Sequence, residues 1–507
     1  VPTTRILDAR GNPIAREPRR SLSARFDAAE RSVETDRHWA NADLLSARAA
    51  NNPEVRRRLR ERARYEAGSN CYCDGIVQTL ANDAIGNGPS IQLQTGDDEA
   101  DSRIEQAFCE WAEAITLPDK LRTMRRARAV DGEAFGLHIT NPKLPTDVKL
   151  DFLLIEADQF ATPYTQPLDL YMVDGIEFDR AWNPTFYHLL KVHPGDMIGI
   201  GYAFEYDRLP ASSVSHWFER KRPQQFRGIP DITAALPLFA QLRRYTLAVL
   251  AAAETAADFA AVLYSELPPD DSNEDAKPFE ALEINRRMMT TLPAGWKMGQ
   301  FRAEQPTTTY PDFKREILNE IARCVLMPYN VAAGNSSSYN YSSGRLDHQV
   351  YYRALDIDRG SLERCTLNPL FAAWVAEAGG SATRAPAMPG LIPEGADLSP
   401  TWLWPALENI DPEKEANAVE ILMRNGLTSF SEECRRQGVD PETRVAQMAK
   451  DAALFERYGL PMPSAWSGAG SNQSPPSGGG NADPSRAPGG QEARNGHARN
   501  GLLHGLG

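Results

Sequence analysis

Residues 231–266 read DITAALPLFAQLRRYTLAVLAAAETAADFAAVLYSE, the stretch that most constrains the architecture. It holds no glycine, and its one proline, Pro237, falls in the opening turns. Leu236, Phe239, Leu242, Leu250, Phe259 and Val262 recur at roughly helical spacing. The abundant alanines favour helix and let neighbouring helices approach closely. A continuous helix of about 36 residues would form a rod roughly 54 Å long, more than an ordinary globular domain uses. Glu254 and Asp258 lie near the middle of its most apolar part, Tyr245 to Tyr264. Each would cost about 2.5–3.5 kcal/mol in hydrocarbon, so the reading is a buried soluble helix and not a membrane span.

Upstream, the chain is polar and mixed to about Asn51, as a loosely packed arm would be. The basic run RRRLRERAR, Arg56 to Arg64, then leads into an amphipathic helix expected to end near Asn82. Its arginines read as a solvated helix face or a subunit contact. IGNGPSIQLQ, Ile85 to Gln94, is a turn followed by a short half-buried strand. A helical stretch from about Arg103 to Ala129 follows, anchored by Phe108, Trp111, Ile115 and Leu121. AFGLHIT, VKLDFLLIEA, LYMVDGIEF and FYHLLKV then read as strands, so Arg103 to Phe218 is expected to be an α+β domain.

Downstream, a polar insert from Pro268 to Thr309 has strand-like pieces around MMTTLPAGWKMGQF. A helix is expected from Pro311 to Leu326, and another from Arg345 to about Ala378. Between them lies the biased loop NVAAGNSSSYNYSSG, Asn330 to Gly344. By residues alone it is an ordinary surface linker. Asp411 to Tyr458 reads as three short helices with glycine turns at EILMRNGLTS and RRQGVD. From about Ser464 the composition is too poor in apolar side chains to fold.

Composition narrows the chemistry. With 507 residues, 42% hydrophobic and 24% charged, the chain can bury several cores. Its net charge of −13 argues against a tight duplex binder, which normally presents a basic face to phosphates. The six cysteines, Cys71, Cys73, Cys109, Cys324, Cys365 and Cys434, are too scattered for a disulfide framework and read as free thiols. Cys71-Tyr72-Cys73 lacks the spacer and second pair of a zinc site. The N-terminus shows no apolar run of signal-peptide length, so export is not expected.

Catalytic signatures are missing as well. No G-x-x-x-x-G-K-[ST] phosphate loop and no H-E-x-x-H occur. GIGYAF, Gly199 to Phe204, lacks the third glycine of a dinucleotide site and reads as a strand turn. His216 before Trp217 reads as a satisfied core histidine. Asp131, Glu133, Glu156, Asp158, Glu177 and Asp179 are the carboxylates a two-metal nuclease would need, but without recognisable spacing they read as a charged strand edge. No enzyme, cofactor or metal is expected.

Several blocks taken in order resemble the lambda-type phage portal family. They are DGEAFGLHI (Asp131 to Ile139), LIEADQFATP (Leu154 to Pro163), DGIEFDRAWNPTFYHL (Asp174 to Leu189) and LPASSVSHWFERKRPQQFRGIPDI (Leu209 to Ile232). NYSSGRLD (Asn340 to Asp347) and NIDPEKEANAVEILMRNGLTSFSEECRRQGVDPE (Asn409 to Glu442) continue the series. The resemblance runs from about Leu59 to Pro461 and rests on the order and spacing of the blocks. Trp182 and Asn183 stand where a glycine is usual, and Phe226 departs from the pattern in the turn before Gly228.

The resemblance implies an α+β, multi-region portal subunit with an α/β wing, long stem helices, a small α/β clip and a helical crown. The regions would be an N-terminal arm (1–58), wing (59–228), stem helix (229–266), clip (267–309), second stem helix (310–327), tunnel loop (328–344), wing return helix and linker (345–408), crown (409–461) and a disordered tail (462–507). It further implies a homo-oligomeric ring, commonly of twelve, at the capsid portal vertex of a virion assembled in the host cytoplasm. Double-stranded DNA would pass without sequence specificity, and an acidic wall suits such a conduit. Expected partners are the terminase large subunit, the major capsid or scaffold protein and a head-tail adaptor, with no membrane. The implied DNA contacts are Asn335, Ser336, Ser337, Ser338, Tyr339, Asn340, Tyr341, Ser342 and Ser343, whose polar groups can meet phosphates without fixed positive charge. The alternatives are a monomeric head-tail adaptor or scaffold, and a DNA-processing enzyme of the packaging machinery.

One outcome is expected from sequence alone. Removing the chain after about Pro463 leaves folding and assembly intact, because the deleted composition cannot bury a core. Insolubility of the truncated chain would show otherwise.

Overall fold

The computed structural model describes residues 37–163, 170–196, 205–258, 262–265, 296–299, 310–337, 341–380, 385–393, 395, 398–406 and 412–460. GIGYAF, most of the 268–309 insert and the tail beyond 460 lie outside these residues. The chain divides into a unit ending at Pro441 and a second from Glu442, whose described part is a helix ending at Tyr458.

The architecture is α+β. Helices α1 (Pro53–Ser69), α2 (Cys71–Ile85), α3 (Asp98–Ala114) and α4 (Leu117–Asp131) precede the main strands. Two of the expected continuous helices are therefore broken. Asn70 ends α1 and caps α2, its side chain accepting from Tyr72 N–H, after the weak helix formers Gly68 and Ser69. Between α3 and α4 the backbone turns at Thr116 (φ 53), and Pro118 takes an early position of α4, where its missing N–H costs nothing.

Strand β2 (Glu133–Thr140) sits between β3 (Leu150–Ile155) and β8 (Val214–Phe218) in an antiparallel sheet. A second antiparallel sheet orders β4 (Met172–Val173), β5 (Ile176–Phe178), β6 (Pro184–Leu190) and β7 (Tyr206–Pro210). Alternation along β2 serves two cores. Ala134, with Phe152 and Trp217, joins the main helical core, while Phe135 and Leu137 pack with Phe160, Ile176, Tyr187 and Val214 between the sheets. The short β1 (Ser90–Gln92) pairs with β11 (Thr401–Leu403), a partnership about 310 residues away that periodicity gives no sign of.

The 231–266 stretch is not one rod. Asp231–Ala235 is a 3₁₀ turn, helix α5 spans Leu236–Asp258, and Val262–Ser265 is strand β9, paired with β10 (Trp296–Gly299). Pro237 fixes the start of α5. At the far end, Val262, Leu263 and Tyr264 pair in register with Met298, Lys297 and neighbouring residues of β10, and this backbone pairing overrides their helical spacing. Helix α6 spans Tyr310–Cys324 and α7 Tyr329–Ala333. Helix α8 (Tyr341–Leu362) passes through a π turn, Glu363–Leu367, into α9 (Asn368–Ala378). Pro369 explains that turn, since its ring cannot keep the α register. Pro412–Arg424, Phe430–Arg436 and Pro441–Tyr458 are helical, as expected.

Gly132, in the left-handed conformation (φ 89), ends α4 against the backbone of Ile229 and Pro230. Opposite it, a Cβ on Gly228 would overlap the Gly132 carbonyl oxygen, which is backbone and cannot swing away. Gly228→Ala is therefore expected to destabilise by about 1–3 kcal/mol through overpacking. An unchanged melting curve would show that the turn can relax.

Trp182, where a glycine is usual in the resembling family, holds a left-handed φ of 64. Its ring stacks on Phe226 (5.1 Å between centroids, 17° between planes) with Arg48 5.4 Å above it. Trp182 and Phe226, two of the three departures from the pattern, thus compensate each other, aromatic stacking offsetting backbone strain of about 1–2 kcal/mol.

Candidate functional site

The loop expected to meet DNA is shorter than its sequence suggests. Helix α7 ends at Gly334 (φ 62), and Asn335, Ser336 and Ser337 follow as exposed residues. Ser338, Tyr339 and Asn340 lie outside the described residues. Tyr341, Ser342 and Ser343 form the first turn of α8 and are not loop, a correction to the linker reading. Sequence composition pointed to loop because serine and glycine are poor interior formers, yet the first turn of a helix tolerates them.

Hydrogen bonds tie down the base of this segment. Asn335 N–H donates to the Asn330 carbonyl at 3.0 Å, and Ser337 N–H to Asn335 Oδ1 at 3.0 Å. The Asn330 amide nitrogen lies 3.4 Å from Ser336 Oγ and 3.2 Å from His348 Nε2. Burial lowers the His348 pKa, so the ring is neutral and accepts at Nε2, leaving Nδ1–H for Tyr352 Oη at 3.3 Å. The result is an uncharged hydroxyl and amide tip on a fixed base.

The acidic residues separate into two groups. Glu177 pairs with Arg208 and His188 on the second sheet, and Asp179 closes its own turn with Asn183. Asp131, Glu133, Glu156 and Asp158 instead converge on arginines. They are not a strand edge, because Glu133 is buried at the centre of a charge cluster. Arg227 donates through Nε (2.9 Å to Oε2) and Nη2 (2.7 Å to Oε1). Arg60 Nη2, His216 Nε2 (3.0 Å) and Gly228 N–H (3.0 Å) complete the shell. Burial alone would raise this carboxyl, but the charges of Arg227 and Arg60 and the His216 hydrogen bond hold it well below the usual range.

The basic run is accordingly not a solvated face alone. Arg56 and Arg60 are buried, four residues apart on the inner side of α1, where they pair with Asp174, Glu133 and Asp158. Arg57, Arg58 and Arg62 are the exposed ones, the first two in i,i+4 pairs with Glu61 and Glu54. The four-residue spacing of Arg56 and Arg60 was the available signal, hidden within a run where every face carries charge. His216 is a core histidine as expected, stacked on Phe135 at 4.1 Å. A second buried cluster joins α4 to the 3₁₀ turn before α5 and to α8. Arg125 bridges Asp231 and Asp358 at 2.9 Å each, and Arg128 bonds Asp358 while lying over the Trp217 ring.

Neither cluster offers open chemistry. Every lone pair of Glu133 is engaged, and no nucleophile adjoins it. Among the described residues one group, Glu156, Asp158 and His193, is close enough to suggest a metal. It does not fit one. Arg64 already sits 2.8 Å from Asp158, and His193 Nδ1 accepts from Gly195 N–H, which leaves the proton on the nitrogen a metal would need. All six cysteines are free thiols. No described helix is long and apolar enough to cross a membrane.

Comparison with known proteins gives these features a family. Residues 35–359 match the family model described as phage portal protein, lambda family. The chain is 25% identical over 437 residues to a probable portal protein of Halomonas phage phiHAP-1, covering 80% of this chain and 82% of that one. Among solved structures it is similar to the neck of a native gene transfer agent particle computed with C12 symmetry, with TM-score 0.45 and 13% identity over 75% of this chain and 94% of that one. A chain from the empty-particle neck computed with C6 symmetry gives TM-score 0.45 and 14% identity, covering 75% of this chain and 93% of that one. The family match alone spans well over half of the 507 residues, and it includes both charge clusters and the loop between α7 and α8. The chain therefore belongs to the lambda family of phage portal proteins.

Proposed function

We propose that the chain is a subunit of a closed ring, near twelvefold, at one vertex of a phage-type capsid, and that double-stranded DNA enters and leaves through its central channel. Membership of the portal family over residues 35–359 carries this reading. In it, the α+β body is the wing, α5 and α6 are the paired stem helices, and the insert between them is the clip, the docking site for the terminase large subunit and later a head-tail adaptor. The helices from Pro412 onward are the crown, and the wing meets the major capsid or scaffold protein. Asn335 to Ser343 faces the duplex. The exposed tip supports that role because neutral hydroxyls and amides hold phosphate weakly, without the counterion release that would fix DNA in place.

Light scattering of the purified full chain at micromolar concentration tests the ring, which should give a mass many times that of one 56.1 kDa subunit. Monomers alone, with no rings recovered from particles, would favour the monomeric adaptor instead.

A further inference from the structure

Two helices of this chain each carry an apolar stripe that the other described residues leave exposed. On α5, Phe239 and Leu242 are buried, while Leu247 (59%) and Leu250 (53%) stand in solvent. On α8, Tyr351, Leu355 and Leu362 are buried, while Leu346 (66%), Val350 (47%) and Ile357 (66%) are exposed. Steps of four and seven residues place the α8 set along one line, the spacing of a helix–helix seam. Gln241, Arg244, Tyr245, Leu247 and Ala248 surround a shallow, mainly apolar hollow on α5, of a size that takes a branched aliphatic side chain.

We infer that the α5 stripe of one copy packs against the α8 stripe of the next copy, with the two helices parallel. Charge decides the direction. Arg244 and Glu254 flank the α5 stripe, and Asp347 and Arg353 flank that of α8, all four exposed. Setting Leu247 level with Val350 in parallel brings Arg244 level with Asp347 and puts Glu254 one helical turn from Arg353. The same alignment run antiparallel sets Arg244 against Arg353, whereas Leu250 falls level with a charged residue in either direction. Like charges across an interface disfavour that register, and opposite charges fix the other. Leu346 and Val350 then reach into the hollow beside Leu247. Because different helices are used on the two sides, the contact is heterologous, and it closes into a ring when the rotation allows. The inference rests on the ring reading above and adds the surfaces that build it.

The full-length chain tests it, in a Cys71→Ser background so that the exposed native thiol does not contribute. Arg244→Glu and Asp347→Arg singly should each reduce the ring fraction several-fold while leaving the melting curve of the subunit unchanged. The two together should restore rings. Leu247→Cys with Val350→Cys should, on mild oxidation, give a ladder of covalent multiples that neither single cysteine gives. Rings in the parent chain with no ladder in the double-cysteine variant overturn this contact and leave the ring reading standing. Single reversals that assemble normally overturn it as well. No rings in the parent chain would overturn the ring reading itself.

Discussion

Glu133→Ala is expected to yield a chain that is largely insoluble, or whose unfolding midpoint falls by about 3–5 kcal/mol of stability. That is the cost of breaking a buried pair by removing one partner. The carboxylate is fully buried and engages Arg227, Arg60, His216 and the Gly228 N–H. Without it, Arg56, Arg60 and Arg227 share a desolvated volume in which Asp174 and Asp158 are their remaining side-chain ion-pair partners among the described residues. A whole domain is stable by only about 5–15 kcal/mol, so the loss is a large fraction of the total. Glu133→Gln keeps the volume but not the charge and should fall between wild type and alanine. Denaturant titration of the three proteins checks this, and coincident midpoints would mean that the arginines find other partners.

Acid should weaken the fold, in two steps. His216, His138 and His348 are held neutral by burial, their pKa values lowered. Their contribution is complete above about pH 6.5 and is lost as pH falls below it, because the unfolded state takes up protons first. Glu133 and Asp158 are lowered by their arginines and act with the same sign, from about pH 4 downward. Asp83 and Asp131, raised by burial, work the other way in the carboxylate range. A melting temperature flat from pH 7 to 5 would contradict the histidine part.

The loop carries the second large effect. Deleting residues 336–340, which spares the Asn335 anchor and the first turn of α8, should leave rings intact and abolish retention of packaged DNA. The deleted residues include no aliphatic side chain that could support a core, so little stability should be lost. Ser337→Lys should act in the opposite sense. One added cation per copy surrounds the duplex, and each phosphate neutralised steepens the salt dependence of binding by about 0.9 in log–log slope. DNA should then hold too tightly, most of all at low salt, and packaging should slow. Packaged DNA length measured across a salt series distinguishes the two variants. If both package full-length DNA at the normal rate, the loop does not meet the duplex.

What the sequence made legible follows its local physics. The strands AFGLHIT, VKLDFLLIEA and FYHLLKV announce themselves by alternation, and the structure has them as β2, β3 and β6. The helices from Pro412 onward follow from periodicity and glycine stops. The errors lie where tertiary pairing decides. Val262 to Ser265 has helical spacing yet pairs as a strand with a segment about 30 residues downstream. Glu133, Arg60 and Arg227 are charged residues far apart in the chain, and no local rule distinguishes a carboxylate that meets two arginines in a core from one that faces water. Trp182 was visible only as a departure from the pattern of the resemblance, and the positive φ it holds is one that glycine adopts at no steric cost.

Imaging is the most direct check of the central claim. Capsids carrying a small electron-dense label on the C-terminal tail of this chain, averaged without imposed symmetry, should show label at a single vertex, around a ring with an open centre aligned on the DNA. Label spread over all vertices, or a vertex structure without a channel, would contradict it.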